Sequence, residues 1–126
     1  MSSDRLREHP ADRFDTDHLT FDLHQQAEIL RAEPITTKHG HRQKTLYKHA
    51  GRTIALFVMD KGAEMREHAT DGTVSIQAIE GDLIVTAAGA EQHLKPGGLV
   101  ILASGVRHAV KAESGAVFLL QVSLGA

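Results

Sequence analysis

From residue 43 onward, glycines cut the chain into short apolar segments, and that spacing limits the architectures open to it. QKTLYKH and RTIALFVMD flank Ala50-Gly51, a hairpin turn. TVSIQAI, DLIVTAA, EQHLK, GLVILAS, HAVKAE and AVFLLQVSL follow. The breaks between them are Glu80-Gly81-Asp82, Ala88-Gly89-Ala90, Pro96-Gly97-Gly98, Ser104-Gly105 and Ser114-Gly115. Glycine adopts the positive φ angles that tight corners need. Eight short strands with a glycine at nearly every corner predict an all-β sandwich or barrel.

The segment before these strands reads differently. In LTFDLHQQAEILRAEP, Leu23, Ala27 and Leu30 are spaced for one apolar helix face, and Pro34 ends the pattern. The spacing predicts one short helix, or else an extended segment lying on the domain. Residues 1–18 are polar, mixed in charge and have little to bury, which predicts a flexible arm. The expected organisation is an arm over 1–18 and a single barrel domain over 19–126 that includes the helix. A chain of 126 residues is long enough for one domain with its own core.

Composition narrows the function classes. Net charge is -2, and no basic run or recognition-helix pattern is present, so neither nucleic acid nor an anionic membrane is an expected partner. There is no cysteine, which excludes disulfides, thiolate metal sites and cysteine nucleophiles. MSSDRLREHPADRFD has no apolar h-region, and no stretch is long enough to span a bilayer, so the expected location is the cytoplasm. Histidine is the over-used residue, with nine, against four phenylalanines, one tyrosine and no tryptophan. His9, His18, His24, His39, His41 and His49 lie in polar surroundings ahead of the first strongly apolar run. So few aromatics argue against a site built on stacking.

Two segments place a histidine just after a glycine-bounded strand or turn. GAEMREHATDGTVSIQAIEG, residues 62–81, is read as a loop that carries His68 into a strand. GGLVILASGVRHAVKA, residues 97–112, carries His108 soon after its turn. Gly62, His68, Thr70, Val74 and Gly81 fall at the spacing of the first motif of the cupin superfamily, which they resemble without a gap. Gly97, Ala103, Gly105, His108 and Ala112 occupy the places of its second motif. Fifteen residues separate the two, as in small prokaryotic cupins, and the resemblance is closest to small single-domain bacterial cupins of unassigned function. It covers residues 43–124 and implies a jelly roll, that is, a double-stranded β-helix barrel.

The resemblance also implies a metal site, and here the sequence departs from it. In the family, two histidines and a glutamate of the first motif join one histidine of the second around a divalent ion. This chain keeps His68 and His108, but Thr70 replaces the second histidine and Val74 replaces the glutamate. Ala103 and Ala112 stand where the motif has proline and asparagine. Imidazole and carboxylate together suit manganese, iron, nickel or zinc, whereas two imidazoles alone bind weakly. A third ligand is sought among Gln77, His93, Glu64, Glu67 and the His39–His41 pair, with none singled out.

Two readings follow. In the first, His68, Thr70, Gln77 and His108 ring the barrel mouth and bind a small polar metabolite, with Arg66 and Arg107 on the rim to receive a carboxylate or phosphate. In the second, His68 and His108 with a further ligand form a metal-dependent enzyme of isomerase or oxygenase type. The strand KTLYKH is an edge that needs covering, which makes a homodimer the expected assembly.

Overall fold

A computed structural model of the chain describes residues 17–34 and 40–125. The arm expected over 1–18 lies almost wholly outside the described residues, as does His39. Helix α1 spans Leu23–Arg31. Nine strands follow: β1 (His41–His49), β2 (Arg52–Met59), β3 (Ala63–His68), β4 (Thr73–Gly81), β5 (Leu83–Ala87), β6 (Ala90–Leu94), β7 (Leu99–Leu102), β8 (His108–Ala112) and β9 (Ala116–Ser123). They form a five-stranded sheet of order β1-β2-β9-β4-β7 and a four-stranded sheet of order β3-β8-β5-β6. All pairings are antiparallel. The two sheets face each other as a jelly-roll barrel, as the glycine corners predict.

One strand was not legible. Residues 63–68, AEMREH, form β3 rather than a loop. Its Glu64, Arg66 and Glu67 face solvent, so it lacks the apolar run that marks the other strands. Partners supply the order instead, because Ala63, Glu64 and Met65 pair with Ala112, Lys111 and Val110 of β8.

The barrel interior is filled from both sheets. Ala55, Phe57 and Met59 of β2, Val74, Ile76 and Ala78 of β4, and Ala116 and Phe118 of β9 meet Leu83, Val85, Val110 and Ala112 from the smaller sheet. Phe57 and Phe118 stack with ring centroids 4.9 Å apart. A second core lies outside the barrel. Leu56, Val58 and Val117, on the opposite faces of β2 and β9, pack with Leu46 against Ala27 and Leu30 of α1. This explains why RTIALFVM is apolar without alternation: one face lines the barrel and the other lies under the helix.

Helix α1 starts where Asp22 accepts a hydrogen bond from the Gln25 N–H, a side-chain cap for one unpaired donor of the first turn. It is clamped to the sheet by polar contacts around the second core. Lys44 Nζ donates to Gln26 Oε1 at 2.7 Å, and Arg42 Nε donates to the Glu33 carbonyl at 3.1 Å. The third clamp needs a bulge. Ala78 opposes Phe118, but Glu80 opposes Val117, so β4 holds one extra residue at Ile79. The extra residue turns Glu80 out of the barrel and onto the helix. There it accepts from Arg31 at 2.6 Å and lies 2.7 Å from His24 Nδ1. Arg31 also pairs with Glu28. Gly81 closes this corner with φ +71°, and a Cβ there would stand 2.4 Å from the Gly115 carbonyl oxygen. Only glycine fits that approach.

The Arg31 guanidinium, and then His24, hold the Glu80 carboxyl below its ordinary value. A depressed folded pKa means that the clamp contributes above the unfolded carboxylate pKa of about 4.3 and is lost as pH falls through the folded value. Glu80→Gln should therefore lower stability by about 1 kcal/mol at neutral pH. The difference from wild type should shrink as the pH is lowered below about 4. Chemical denaturation of both proteins across that range reads the effect.

Candidate functional site

His68 and His108 face each other at one end of the smaller sheet, and a bulge in β3 brings them together. Met65 opposes Val110, yet His68 opposes His108, so three steps along β3 match two along β8. Ala63 and Met65 point into the barrel. In an unbroken register the next inward residue would be Glu67, and His68 would face solvent. The extra residue reverses this and sets His68 on the inner face beside His108. His108 reaches that face by plain alternation with Val110 and Ala112, and it is only 2% exposed. The two ring centroids lie 4.4 Å apart at an angle of 55°.

Both rings are oriented in the same way. His68 Nδ1 lies 2.8 Å from the Arg66 carbonyl oxygen, and His108 Nδ1 lies 3.0 Å from the Val106 carbonyl oxygen. A carbonyl has no hydrogen to give, so each Nδ1 carries the proton and donates it. Each neutral imidazole then keeps its lone pair on Nε2, and among the described residues neither Nε2 has a hydrogen-bond partner. Two acceptors of one kind are thus fixed at the end of an otherwise apolar barrel.

The loops around the pair are tied to one another. The Thr70 carbonyl accepts from the Gly105 N–H at 3.0 Å, and the Gly72 N–H donates to Ser104 Oγ at 2.9 Å. Thr70 is therefore held beside the second histidine-bearing loop, half-buried. Val74 is 2% exposed and packs in the barrel core, so the position where the cupin resemblance implies a carboxylate is filled by an apolar side chain.

The other candidates are not brought to the pair. Gln77 opposes Leu119 and Leu99 between the inward Ile76 and Ala78, which puts it on the outer face of the larger sheet. The bulge in β4 lies beyond it, at Ile79, and does not reverse it. His93 opposes Ile84 on the outer face of the smaller sheet and lies 3.3 Å from Glu91. His41 opposes Met59 at the other end of the barrel, its ring 5.8 Å from Phe57. Glu64 is level with Lys111 on the outer face. Arg107 is exposed, and its Nε donates to Glu67 Oε1 at 3.0 Å. Thr53 was not singled out from sequence. It opposes Val122 on the inner face of β2, at the end where β4 begins with Thr73 and Val74. Its alternation is hidden by a strand that is apolar on both faces.

The profile of the AraC-like ligand binding domain matches residues 50–124, more than half of the chain. The chain belongs to the AraC-like ligand-binding domain family. This is a cupin-type family, and solved cupins share the fold. An RmlC-like cupin from Shewanella frigidimarina superposes with a TM-score of 0.70 at 22% identity, over 87% of this chain and 93% of that one. A conserved protein of unknown function from Streptococcus pyogenes superposes with a TM-score of 0.70 at 21% identity, over 88% and 92%. KdgF from a Halomonas species gives 0.63 at 17% identity, over 75% and 89%. At these identities the likeness speaks for the fold alone. No curated protein matches the sequence.

The cupin fold implies a metal, and the donors present do not fit one. Among the described residues no group of three or more histidine, cysteine, aspartate or glutamate side chains stands ready to hold an ion. Around the pair, the remaining family positions offer a neutral hydroxyl at Thr70 and a hydrocarbon at Val74. Two imidazoles without a carboxylate neither complete the usual ligand count nor offset the ion's charge. Calorimetric titration with manganese, iron(II), nickel and zinc should find no stoichiometric site tighter than about 1 µM, the range of roughly 8 kcal/mol. A tight one-to-one site lost in His108→Ala would overturn this reading.

Proposed function

We propose that the protein is a metal-free small-molecule binding module, in which the barrel mouth holds a polar metabolite against His68 and His108. The observation that carries this is the matched orientation of the two rings. Their Nδ1 protons are committed to main-chain carbonyls, which leaves the two Nε2 atoms as a pair of acceptors. Such a pair suits neighbouring hydroxyl or amine donors on one small molecule. Thr70, on the loop beside His108, adds a hydroxyl that both gives and accepts. Val74, Leu102 and Val122 of the barrel core supply the apolar surroundings of this end of the barrel. The match to a family of ligand-binding domains supports the same reading.

A thermal-shift screen of polyols, sugars, amino alcohols and small carboxylates, run in the presence of chelator, tests it. A cognate compound at about 100 times its Kd should stabilise the wild type by roughly 2.7 kcal/mol. The shift should vanish in His68→Gln, whose own folding remains intact. A compound that stabilises the wild type and the variant equally would place the binding site elsewhere. A shift that requires added metal would contradict the metal-free reading.

A further inference from the structure

Each sheet ends in two edge strands, and the four edges differ in how they are guarded. Strand β1 carries Arg42, Lys44 and Lys48 and is interrupted by a bulge at Leu46. In β3 the residues Glu64, Arg66 and Glu67 are followed by the bulge that turns His68 inward. Strand β6 holds Glu91 and His93 and runs directly into Lys95 and Pro96. Charges, bulges and prolines stop an edge from pairing with another chain. Strand β7 has none of these three, and its one guard is its length of four residues. Its sequence is Leu99-Val100-Ile101-Leu102, it pairs only with β4, and Leu99 and Ile101 are 53% and 64% exposed.

The face beside this edge has the same character. Leu99 stands level with Gln77, Ile101 with Ser75 and Gln121, and Thr73 with Ser123. Across β7, β4 and β9, the outer face beyond the reach of α1 carries no charged side chain among the described residues. The outer face of the smaller sheet differs, with Glu64, Lys111, His93 and Glu91. In a chain that is 24% charged, a bare stretch on an open edge requires a cause. Depletion of charge with exposed large apolar side chains marks a surface that another protein covers.

We propose that β7 is the self-association edge of this protein and that its occupant is β7 of a second copy, paired antiparallel about a two-fold axis. The choice of a second copy rests on charge. About a two-fold axis a strand meets its own residues, so any charged edge sets like charge against like. Strand β7 is the edge that meets itself without that penalty. The pairing joins two five-stranded sheets into one of ten strands. It satisfies the outward main-chain groups of β7 and covers Leu99 and Ile101 on both copies. It also moves the interface away from β1, the edge expected from sequence, which is charged and bulged. None of this depends on what the histidine pair binds.

Sedimentation velocity of the full chain at about 10 to 100 µM reads the assembly. The wild type should be dimeric, and raising the salt to about 1 M should not weaken the dimer, because no ion pair holds it. Leu99→Lys combined with Ile101→Lys should sediment as a monomer while its circular dichroism stays that of the folded wild type. Ile101→Ser, which adds no charge, should raise the dimer Kd by about tenfold or more. Backbone amides of β7 should exchange more slowly in the dimer than in the lysine variant. A wild-type monomer at 100 µM would overturn the proposal. So would a dimer that survives both lysines, or one dispersed by salt.

Discussion

The mouth of the barrel depends on one extra residue in β3. A strand sends alternate side chains to opposite faces, so its register decides which of them enter the barrel. With Ala63 and Met65 inside, the regular continuation would bury Glu67 beside His108 and leave His68 in water. A lone carboxylate there would cost several kcal/mol or take up a proton. The bulge exchanges the two. Glu67 goes outside and pairs with Arg107, and His68 goes inside at 4.4 Å from His108. The same distortion brings the Arg66 carbonyl to His68 Nδ1 and so fixes the tautomer. One inserted residue therefore sets position, orientation and protonation together.

A second bulge does similar work on the larger sheet. The extra residue at Ile79 keeps Glu80 out of the barrel and gives it to Arg31 and His24 of the helix. The helix then has a polar clamp beside its apolar contact with Leu56, Val58 and Val117. It covers only part of the sheet's outer face. The rest, from β9 to β7, carries no charged side chain among the described residues, and the molecule's two outer faces are unlike each other for that reason. The fold thus separates its surfaces. The inner mouth carries the imidazoles, the outer face of the smaller sheet carries the charges, and the β7 edge carries neither.

Much of the fold was legible in the sequence. The glycine corners marked eight strands, Leu23, Ala27 and Leu30 marked the helix, and the spacing around Gly62, Gly81, Gly97 and Gly105 marked a cupin. What was lost followed from bulges and from strands with two buried faces. AEMREH is too charged to read as a strand until β8 pairs with it. The inward turn of His68 depends on a register shift that no periodicity announces. Gln77, expected at the barrel mouth, stands on the outer face instead, because it alternates with the inward Ile76 and Ala78. Thr53 was hidden because RTIALFVM buries both faces. The engagement of Arg107 by Glu67 joins residues 40 positions apart, a contact that only the tertiary structure sets.

The chemistry of the site follows from which nitrogen of each ring is free. A metal-holding cupin surrounds its ion with imidazole and carboxylate, and this chain keeps two imidazoles among hydrocarbon. What remains is a recognition element, a pair of acceptors whose direction is fixed by the backbone. Its most direct test is a long-range proton–nitrogen correlation spectrum of the histidine rings at neutral pH, assigned with His68→Gln and His108→Gln. The account predicts that both rings carry their proton on Nδ1, with Nε2 at the shift of an unprotonated nitrogen. Protonation on Nε2 in both rings would contradict it, because the lone pairs would then face the main chain and the barrel would hold donors in their place.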